Sequence, residues 1–232
     1  MTVTPGDALL DRIAARLADR FHGLVSAETA RRLVAESYRQ LRGTSKVGAH
    51  LVVLAERFAA ERLTALAQVE GRLGKPVPEV LFVCDANAGR SQMAAALAMA
   101  RGHGRLHARS AGTAPAAELE LAVMEVMAEI AVDLSAEFPK PLTDELVAAA
   151  DLVVTLGCGG ACPLLPGTRY LDWAVPDPAH QPPAEIRRIR DELDLLVTDL
   201  LTTLDQPDPD QPDPGRPGLD QSRLDQRRNT DA

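Results

Sequence analysis

The sequence contains no long uninterrupted apolar segment. No run of apolar residues approaches the roughly 20 that a helix needs to cross a bilayer, so we expect no membrane span. The first residues also lack a basic stretch followed by an apolar block, the pattern of a secretory signal peptide. We therefore expect a cytoplasmic protein.

Cysteine and positive charge are both scarce. The 232 residues include three cysteines, and an odd number in a chain without a secretion signal indicates reactive rather than structural thiols in a reducing compartment. The 33 acidic residues outnumber the 25 lysines and arginines, which leaves a formal net charge of −8. A dedicated nucleic-acid binder is therefore not expected.

The spacing of apolar residues divides the chain into three parts. Residues 1–74 carry three apolar stripes at helical spacing and are predicted to form a three-helix bundle. Residues 75–204 alternate apolar runs with helical patterns, one of them over about residues 117–131. This alternation predicts an α/β domain with a doubly wound, four-stranded parallel sheet. Residues 205–232 are rich in Asp, Gln and Pro and are predicted to be a disordered tail.

The most informative stretch joins the first predicted strand to the helix that follows. A short apolar run ends on Cys84, and Arg90 and Ser91 then open an alanine-rich helix. A strand that enters a helix through such a loop directs backbone N–H groups and the positive end of the helix dipole at one place. An oxyanion is stabilised at such a place.

Several residues of this loop suit that task. Gly89 is expected to adopt a positive φ, and Asn87 to hold the loop through hydrogen bonds. Arg90 offers a planar guanidinium that matches a tetrahedral oxyanion. The same positive field favours the thiolate form of Cys84, which predicts a nucleophile, although many cysteines that follow an apolar run are simply buried strand residues.

The loop resembles the anion loop of the low-molecular-weight tyrosine phosphatase superfamily. The match is to its arsenate reductase branch, in which Asn-Ala-Gly-Arg-Ser-Gln-Met-Ala is typical. The segments Ser110–Pro115 and Phe138–Thr143 are also similar to the family, and the resemblance extends from about residue 79 to residue 204. It implies the family's fold, arsenate as the substrate and an oxyanion site formed by Cys84, Asp85, Ala86, Asn87, Ala88, Gly89 and Arg90.

Asp177, which is followed by Pro178, resembles the general acid of the superfamily. That acid is a carboxyl group on a mobile loop, and it protonates the departing oxygen. An aspartate before a proline is otherwise an ordinary turn residue. Ala179 and His180 come next, where the phosphatases usually carry aromatic residues that stack on phosphotyrosine. This difference favours a small inorganic substrate.

The other two cysteines, Cys158 and Cys162, lie in a glycine-rich stretch. In a helical turn their Cα atoms would be roughly 6 Å apart, within disulfide range. A zinc half-site or incidental thiols are the alternatives, but no second pair of zinc ligands is evident, and no metal site is predicted. The resemblance to three-cysteine reductases implies that Cys158 attacks the Cys84 adduct and that Cys162 then attacks Cys158. Ser91 is expected to hydrogen-bond the Cys84 sulfur.

The predicted function is therefore a monomeric arsenate reductase with no bound cofactor, whose Cys158–Cys162 disulfide is reduced by thioredoxin. In one alternative, mycothiol resolves the Cys84 adduct and the other two cysteines take no part. A tyrosine phosphatase is a further alternative, and an anion-sensing or regulatory module built on the helical bundle is another. Ala95 stands where the family often has a glutamate, so no potassium ion is expected. The bundle resembles the N-terminal extension of some actinobacterial arsenate reductases.

Overall fold

The structure, a computed structural model, describes residues 5–44, 50–157 and 168–204. None of the helices in these ranges is long and apolar enough to cross a membrane. The described elements, in chain order, are α1 (Pro5–Arg20), α2 (Ala27–Thr44), α3 (Leu51–Val69), β1 (Glu79–Cys84), α4 (Arg90–Gly102), β2 (His107–Gly112), α5 (Leu121–Ala128), α6 (Asp144–Ala149), β3 (Leu152–Thr155), β4 (Arg169–Asp172) and α7 (Pro183–Leu204).

Helices α1, α2 and α3 pack together through apolar side chains that recur at helical spacing. Ile13, Leu17 and Phe21 of α1 lie in one buried cluster with Leu33 of α2 and Leu63 of α3. Each fully buried side chain of this kind contributes roughly 1.5–3 kcal/mol relative to an exposed one. Such a cluster can hold three short helices together, and the predicted three-helix bundle is confirmed.

The strands form one parallel sheet in the order β2-β1-β3-β4, which confirms the predicted α/β fold. All six residues of β1 are buried, because this strand lies between β2 and β3 and is covered on both faces. The carboxyl ends of parallel strands meet at one edge of a sheet, where ligands bind in open α/β folds. Cys84 at the end of β1 pairs there with Gly112 at the end of β2.

Helix α5 is shorter than the sequence pattern predicts. The helix expected over residues 117–131 is observed only at Leu121–Ala128. The backbone N–H groups of Ala116 and Glu120 bind carbonyl groups of the loop that follows β1, so this stretch is held by that loop rather than by helical bonds. At the other end Ala131 adopts a left-handed φ of 59°, which terminates the helical geometry.

Helix α3 packs on the sheet region as well as on the bundle. Phe58 and Ala65 of α3 share a buried cluster with Leu81 of β1 and Leu146 of α6. The described residues up to Leu201 accordingly form one compact unit. The predicted domain boundary between residues 74 and 75 stays a prediction, and residues 205–232 lie outside the described ranges.

A buried polar cluster lies at the amino ends of β1 and β2, far from the carboxyl edge. The Glu79 carboxylate accepts a hydrogen bond from Gln68 Nε2 at 2.6 Å and pairs with His107 Nδ1 at 2.7 Å and with Arg109 at 3.3 Å. Burial acts to raise the pKa of Glu79, but the hydrogen bond to His107, the charge of Arg109 and the Gln68 bond together lower it. The ionised form of Glu79 is therefore the one that stabilises the fold.

The substitution Glu79→Gln is expected to lower the free energy of unfolding by about 2–4 kcal/mol at pH 7, because it leaves the buried Arg109 without its charged partner. A depressed folded-state pKa gives stability that is present above the ordinary value of 4.5 and is lost as the pH falls through the lower folded value. The variant should therefore lose less stability than the unaltered chain between pH 5 and pH 3. Urea unfolding between pH 5 and pH 3 measures this loss of stability, and the exposed Glu192→Gln is the control. If both variants lost equal stability over this range, the prediction would be contradicted.

Candidate active site

Cys84 ends β1 at the carboxyl edge of the sheet, and its side chain is 2% exposed. Its Sγ atom lies 2.9 Å from Ser91 Oγ, as the sequence predicts, and accepts a hydrogen bond from the backbone N–H of Asn87 at 3.3 Å. The predicted nucleophile thus has a hydroxyl group and a backbone N–H group within hydrogen-bond distance.

The carbonyl groups of the loop between β1 and α4 are engaged by the segment of residues 113–120. In a trans peptide the N–H group points away from the C=O group. When a loop carbonyl accepts a hydrogen bond from residues 113–120, the N–H group of the same peptide therefore points away from that segment. The Ala86 carbonyl and the Asn87 N–H illustrate this, since the N–H reaches the Cys84 sulfur. The four bonds run from Thr113 N to Cys84 O (3.1 Å), from Ala114 N to Asp85 O (2.9 Å), from Ala116 N to Ala86 O (2.8 Å) and from Glu120 N to Ala88 O (3.2 Å).

Asn87, rather than Gly89, adopts the left-handed backbone conformation in this loop. Asn87 has a φ of 48° and Gly89 has a φ of −140°, so the expectation of a positive φ at Gly89 is wrong. Asparagine tolerates this region because its side chain can hydrogen-bond locally. Glycine is needed at position 89 for space, since a Cβ atom there would lie 2.6 Å from Cγ of Pro178.

The Asn87 side chain is fully buried and links three parts of the site. Its Nδ2 donates to Ser91 Oγ at 2.8 Å, and its Oδ1 accepts bonds from the Lys140 backbone N–H at 2.8 Å and from Gln92 Nε2 at 3.0 Å. Gln92 Nε2 also donates to the Phe138 carbonyl at 2.9 Å. These bonds fix both the loop and the Ser91 hydroxyl that contacts Cys84.

Arg90 and Asp177, predicted as oxyanion ligand and general acid, are brought together. Arg90 Nη2 lies 2.9 Å from Asp177 Oδ2. The guanidinium is largely buried, whereas the Asp177 side chain is 56% exposed and also accepts the Ala179 N–H at 3.0 Å. An exposed carboxyl group beside the predicted oxyanion ligand has the access that a general acid needs.

Gly157 also borders the site. A Cβ atom at Gly157 would lie 2.5 Å from Arg90 Nη1, so the guanidinium occupies the space that a side chain would fill. Gly157 immediately precedes Cys158 in the sequence. Cys158 and Cys162 themselves lie outside the described residues, in the range 158–167, and the predicted redox pair stays a prediction.

Gly112, at the end of β2, closely contacts the anion loop. A Cβ atom there would lie 2.5 Å from the Asp85 carbonyl oxygen and 3.0 Å from Asn87 N. Because these atoms belong to the backbone, the loop itself would have to move. Gly112→Ala is therefore expected to lower the turnover of the substrate proposed below about 10- to 100-fold, since a shift of about 1 Å in a reacting group can cost that much.

Gly102 provides the matched control for this substitution. A Cβ atom there would meet Leu106 Cγ at 3.5 Å, an ordinary contact, and alanine is favoured over glycine in a helix. Gly102→Ala should leave turnover unchanged. Steady-state kinetics on both variants make the comparison, and full activity in Gly112→Ala would show that the loop accommodates the extra carbon.

Sequence reasoning missed two residues that help to build the site. Gln92 belongs to the recognised motif but was given no role, and Lys140 was noted only within its family-like segment. Gln92 could have been suspected from its place inside the motif, whereas the sequence around Lys140 gives no signal that its side chain is buried. Among the residues that the structure describes, no cluster of three or more His, Cys, Asp or Glu side chains could hold a metal ion.

Comparison with known families identifies the catalytic region. A family model described as low molecular weight phosphotyrosine protein phosphatase matches residues 79–209, which is more than half of the chain. The chain belongs to this family. A second model, described as a protein-tyrosine-phosphatase-like N-terminal domain, matches residues 10–67. The predicted family membership and the predicted N-terminal helical extension are both confirmed.

Relatives of this phosphatase-family chain include proteins named as arsenate reductases. It is 35% identical over 132 residues to a putative arsenate reductase of Halobacterium salinarum, a match that covers 55% of this chain and 93% of the relative. It is 32% identical over 127 residues to an arsenate reductase of Staphylococcus xylosus, with 51% and 92% covered.

Solved structures extend the comparison to the bundle. A thioredoxin-dependent arsenate reductase of Corynebacterium glutamicum superposes with a TM-score of 0.78 at 44% identity, and the match covers 85% of this chain and 96% of that one. An arsenate reductase in a phosphate-binding state superposes with a TM-score of 0.51 at 26% identity over 55% of this chain and 99% of that one.

Proposed function

We propose that this protein is an arsenate reductase that receives its electrons from thioredoxin. The observation that carries the proposal is the 44% identity to the Corynebacterium glutamicum enzyme over 85% of this chain, because that match includes both the bundle and the catalytic region. The hydrogen bonds to the Cys84 sulfur and the position of Arg90 beside Asp177 also support the predicted arsenate reductase activity.

In the first step, the thiolate of Cys84 attacks the arsenic atom of arsenate. The loop N–H groups and the Arg90 guanidinium hold the oxyanion, and their donors are fixed before the reaction. Asp177 donates a proton to the departing oxygen, which leaves as water. The product is a Cys84 adduct in which arsenic is still pentavalent.

Two thiols then supply the electrons. The Cys158 thiolate attacks the Cys84 sulfur; a disulfide forms, the sulfur–arsenic bond breaks, and its electron pair stays on arsenic, which leaves as arsenite. Cys162 next attacks Cys158, which releases Cys84 as a thiolate and leaves a Cys158–Cys162 disulfide. Thioredoxin reduces this disulfide and is itself oxidised.

Since thiols carry every electron, this scheme needs no resident cofactor, and it suits the reducing cytoplasm in which thioredoxin works. The monomeric state and the lack of nucleic-acid binding stay predictions.

The deciding experiment compares two reductants with the unaltered full chain. Arsenate-dependent NADPH oxidation is measured with thioredoxin and thioredoxin reductase, and in parallel with mycothiol and its own recycling enzymes. Turnover with thioredoxin alone is the expected result. Turnover with mycothiol alone would instead favour the mycothiol-coupled alternative, and hydrolysis of an aryl phosphate at a rate comparable to arsenate reduction would favour a phosphatase.

A further inference from the structure

Helix α3 of the bundle holds the segment of residues 136–140 from one side. The Arg57 guanidinium donates a hydrogen bond to the Ala136 carbonyl and lies 5.2 Å from the centre of the Phe138 ring. One turn further along α3, Glu61 Oε1 lies 3.3 Å from Lys140 Nζ. Two successive turns of α3 therefore contact this segment through polar side chains.

The anion loop and the first turn of α4 contact the same segment. The Lys140 N–H donates to Asn87 Oδ1, and the Phe138 carbonyl accepts from Gln92 Nε2. The segment is thus bonded both to α3 and to the loop that carries the proposed nucleophile. A displacement of this segment would therefore disturb its contacts with both α3 and the anion loop.

The contacts form an unbroken path from the bundle to the sulfur. Glu61 pairs with the Lys140 side chain, and the Lys140 backbone binds Asn87 Oδ1 at 2.8 Å. Asn87 Nδ2 donates to Ser91 Oγ at 2.8 Å, and that hydroxyl lies 2.9 Å from Cys84 Sγ. Each link of the path is a charge pair or a hydrogen bond of ordinary length.

We propose that the N-terminal bundle positions the nucleophile loop through the Glu61–Lys140 pair. The inference rests on the proposed function, in which Cys84 is the nucleophile. Glu61 and Lys140 act as positioning residues, because they reach the reacting sulfur through Asn87 and Ser91 and contact no substrate. The bundle is then a part of the site and not merely a neighbour of it.

Burial makes this pair sensitive to the loss of one partner. The Lys140 side chain is 5% exposed, and its ammonium has Glu61 and Glu137, each at 3.3 Å, as its carboxylate partners. A buried charge needs its partners. Without the Glu61 charge the ammonium is drawn toward Glu137, and the backbone at position 140 moves with it.

Asn87 transmits such a movement. Its left-handed backbone is sparsely populated by residues other than glycine and persists because the surrounding bonds fix it. When the Lys140 N–H moves, the Asn87 side chain loses one of those bonds. Asn87 Nδ2 and the Asn87 backbone N–H, which donate to Ser91 Oγ and to Cys84 Sγ, are then no longer fixed in position.

The test measures the sulfur directly, so that it does not depend on arsenate turnover. In the full chain Cys158 and Cys162 are replaced by serine, which leaves Cys84 as the single thiol. The rate of Cys84 alkylation by iodoacetamide at pH 7 measures the reactivity of the sulfur. The phosphate concentration that halves this rate measures the affinity of the anion loop for phosphate. Glu61→Gln is expected to slow alkylation and to raise that phosphate concentration, each about three- to tenfold.

Glu56→Gln is the matched control. Glu56 lies on the same helix and pairs with Arg16 of α1 at 2.6 Å, so this variant breaks an ion pair within the bundle without touching residues 136–140. Neither measurement should change. Equal effects in the two variants would mean that the bundle acts only through general stability, and no effect of Glu61→Gln would overturn the proposal.

A double-substitution comparison tests whether the two residues act through each other. In combination with Lys140→Met, the change Glu61→Gln should add nothing to the effect of Lys140→Met alone. Independent, multiplying effects would contradict the path. If the unaltered chain fails to reduce arsenate, the proposed function is lost, while these alkylation results still decide the positioning role. Thermal unfolding of Glu61→Gln, which keeps the side-chain shape, confirms that a folded protein is measured.

Discussion

Replacement of Cys84 by serine is expected to abolish arsenate reduction, with turnover lowered by about 10⁵-fold or more. A hydroxyl is a far weaker nucleophile than a thiolate, and serine cannot form the disulfide that releases arsenite. The structure predicts that the fold survives, because the side chains have the same shape and the Asn87 N–H and Ser91 hydroxyl can hydrogen-bond an oxygen as well as the sulfur. Thioredoxin-coupled NADPH oxidation measures the loss.

Phosphate binding serves as the control for this variant. The loop N–H groups and the Arg90 guanidinium remain when Cys84 becomes serine, so calorimetric titration should give a similar phosphate affinity. Loss of both turnover and binding would show that the loop had collapsed. Substantial turnover in a folded Cys84→Ser protein would remove Cys84 from the mechanism altogether.

The second large effect is expected at Cys162. In Cys162→Ser the first two thiol steps can proceed, so one arsenite per chain should be released in a single burst. The chain then stops as a Cys84–Cys158 disulfide, because the thiol that would release Cys84 is missing. Steady-state turnover with thioredoxin should fall to the uncatalysed rate, while quenched single-turnover assays still detect arsenite.

Cys158→Ser is the matched control for the relay. It retains the initial attack on arsenate but lacks the thiol that displaces arsenic, so neither a burst nor steady turnover should be seen. Unchanged thioredoxin-dependent turnover in Cys162→Ser would refute the relay. Normal turnover of both variants with mycothiol would instead support the alternative in which the two cysteines take no part.

Sequence patterns were sufficient to predict the features that depend on the local sequence. A continuous apolar run predicted the buried strand β1, and parallel strands bring their carboxyl ends together, so Cys84 was placed at the correct edge. The motifs alone assigned Arg90 and Asp177 to one site, although they are separated by 87 positions, and the hydrogen bond between them is a finding of the structure. The assignment of the left-handed residue failed because both Asn87 and Gly89 can adopt that conformation, and the hydrogen bonds that fix Asn87 come from residues distant in sequence as well as from its neighbours.

Other features depend on contacts that no local pattern encodes. The helix near residue 120 was predicted too long, since its apolar residues favour a helix while its first backbone groups bind the anion loop. The pair formed by Glu61 and Lys140 joins residues 79 positions apart. A glutamate on a helix face and a lysine between two prolines each suggest a solvent-exposed charge, and the fold is needed to bring them together.

The core shared by α3 and the sheet limits how this protein can be dissected. A shortened chain that begins at Lys75 would retain every described strand and the whole anion loop, yet it would lose Phe58 and Ala65, which share a buried cluster with Leu81 and Leu146. An apolar patch uncovered in this way promotes aggregation. Inactivity of such a fragment would therefore combine poor solubility with loss of the Glu61–Lys140 pair, and single substitutions in the full chain are needed to separate the two.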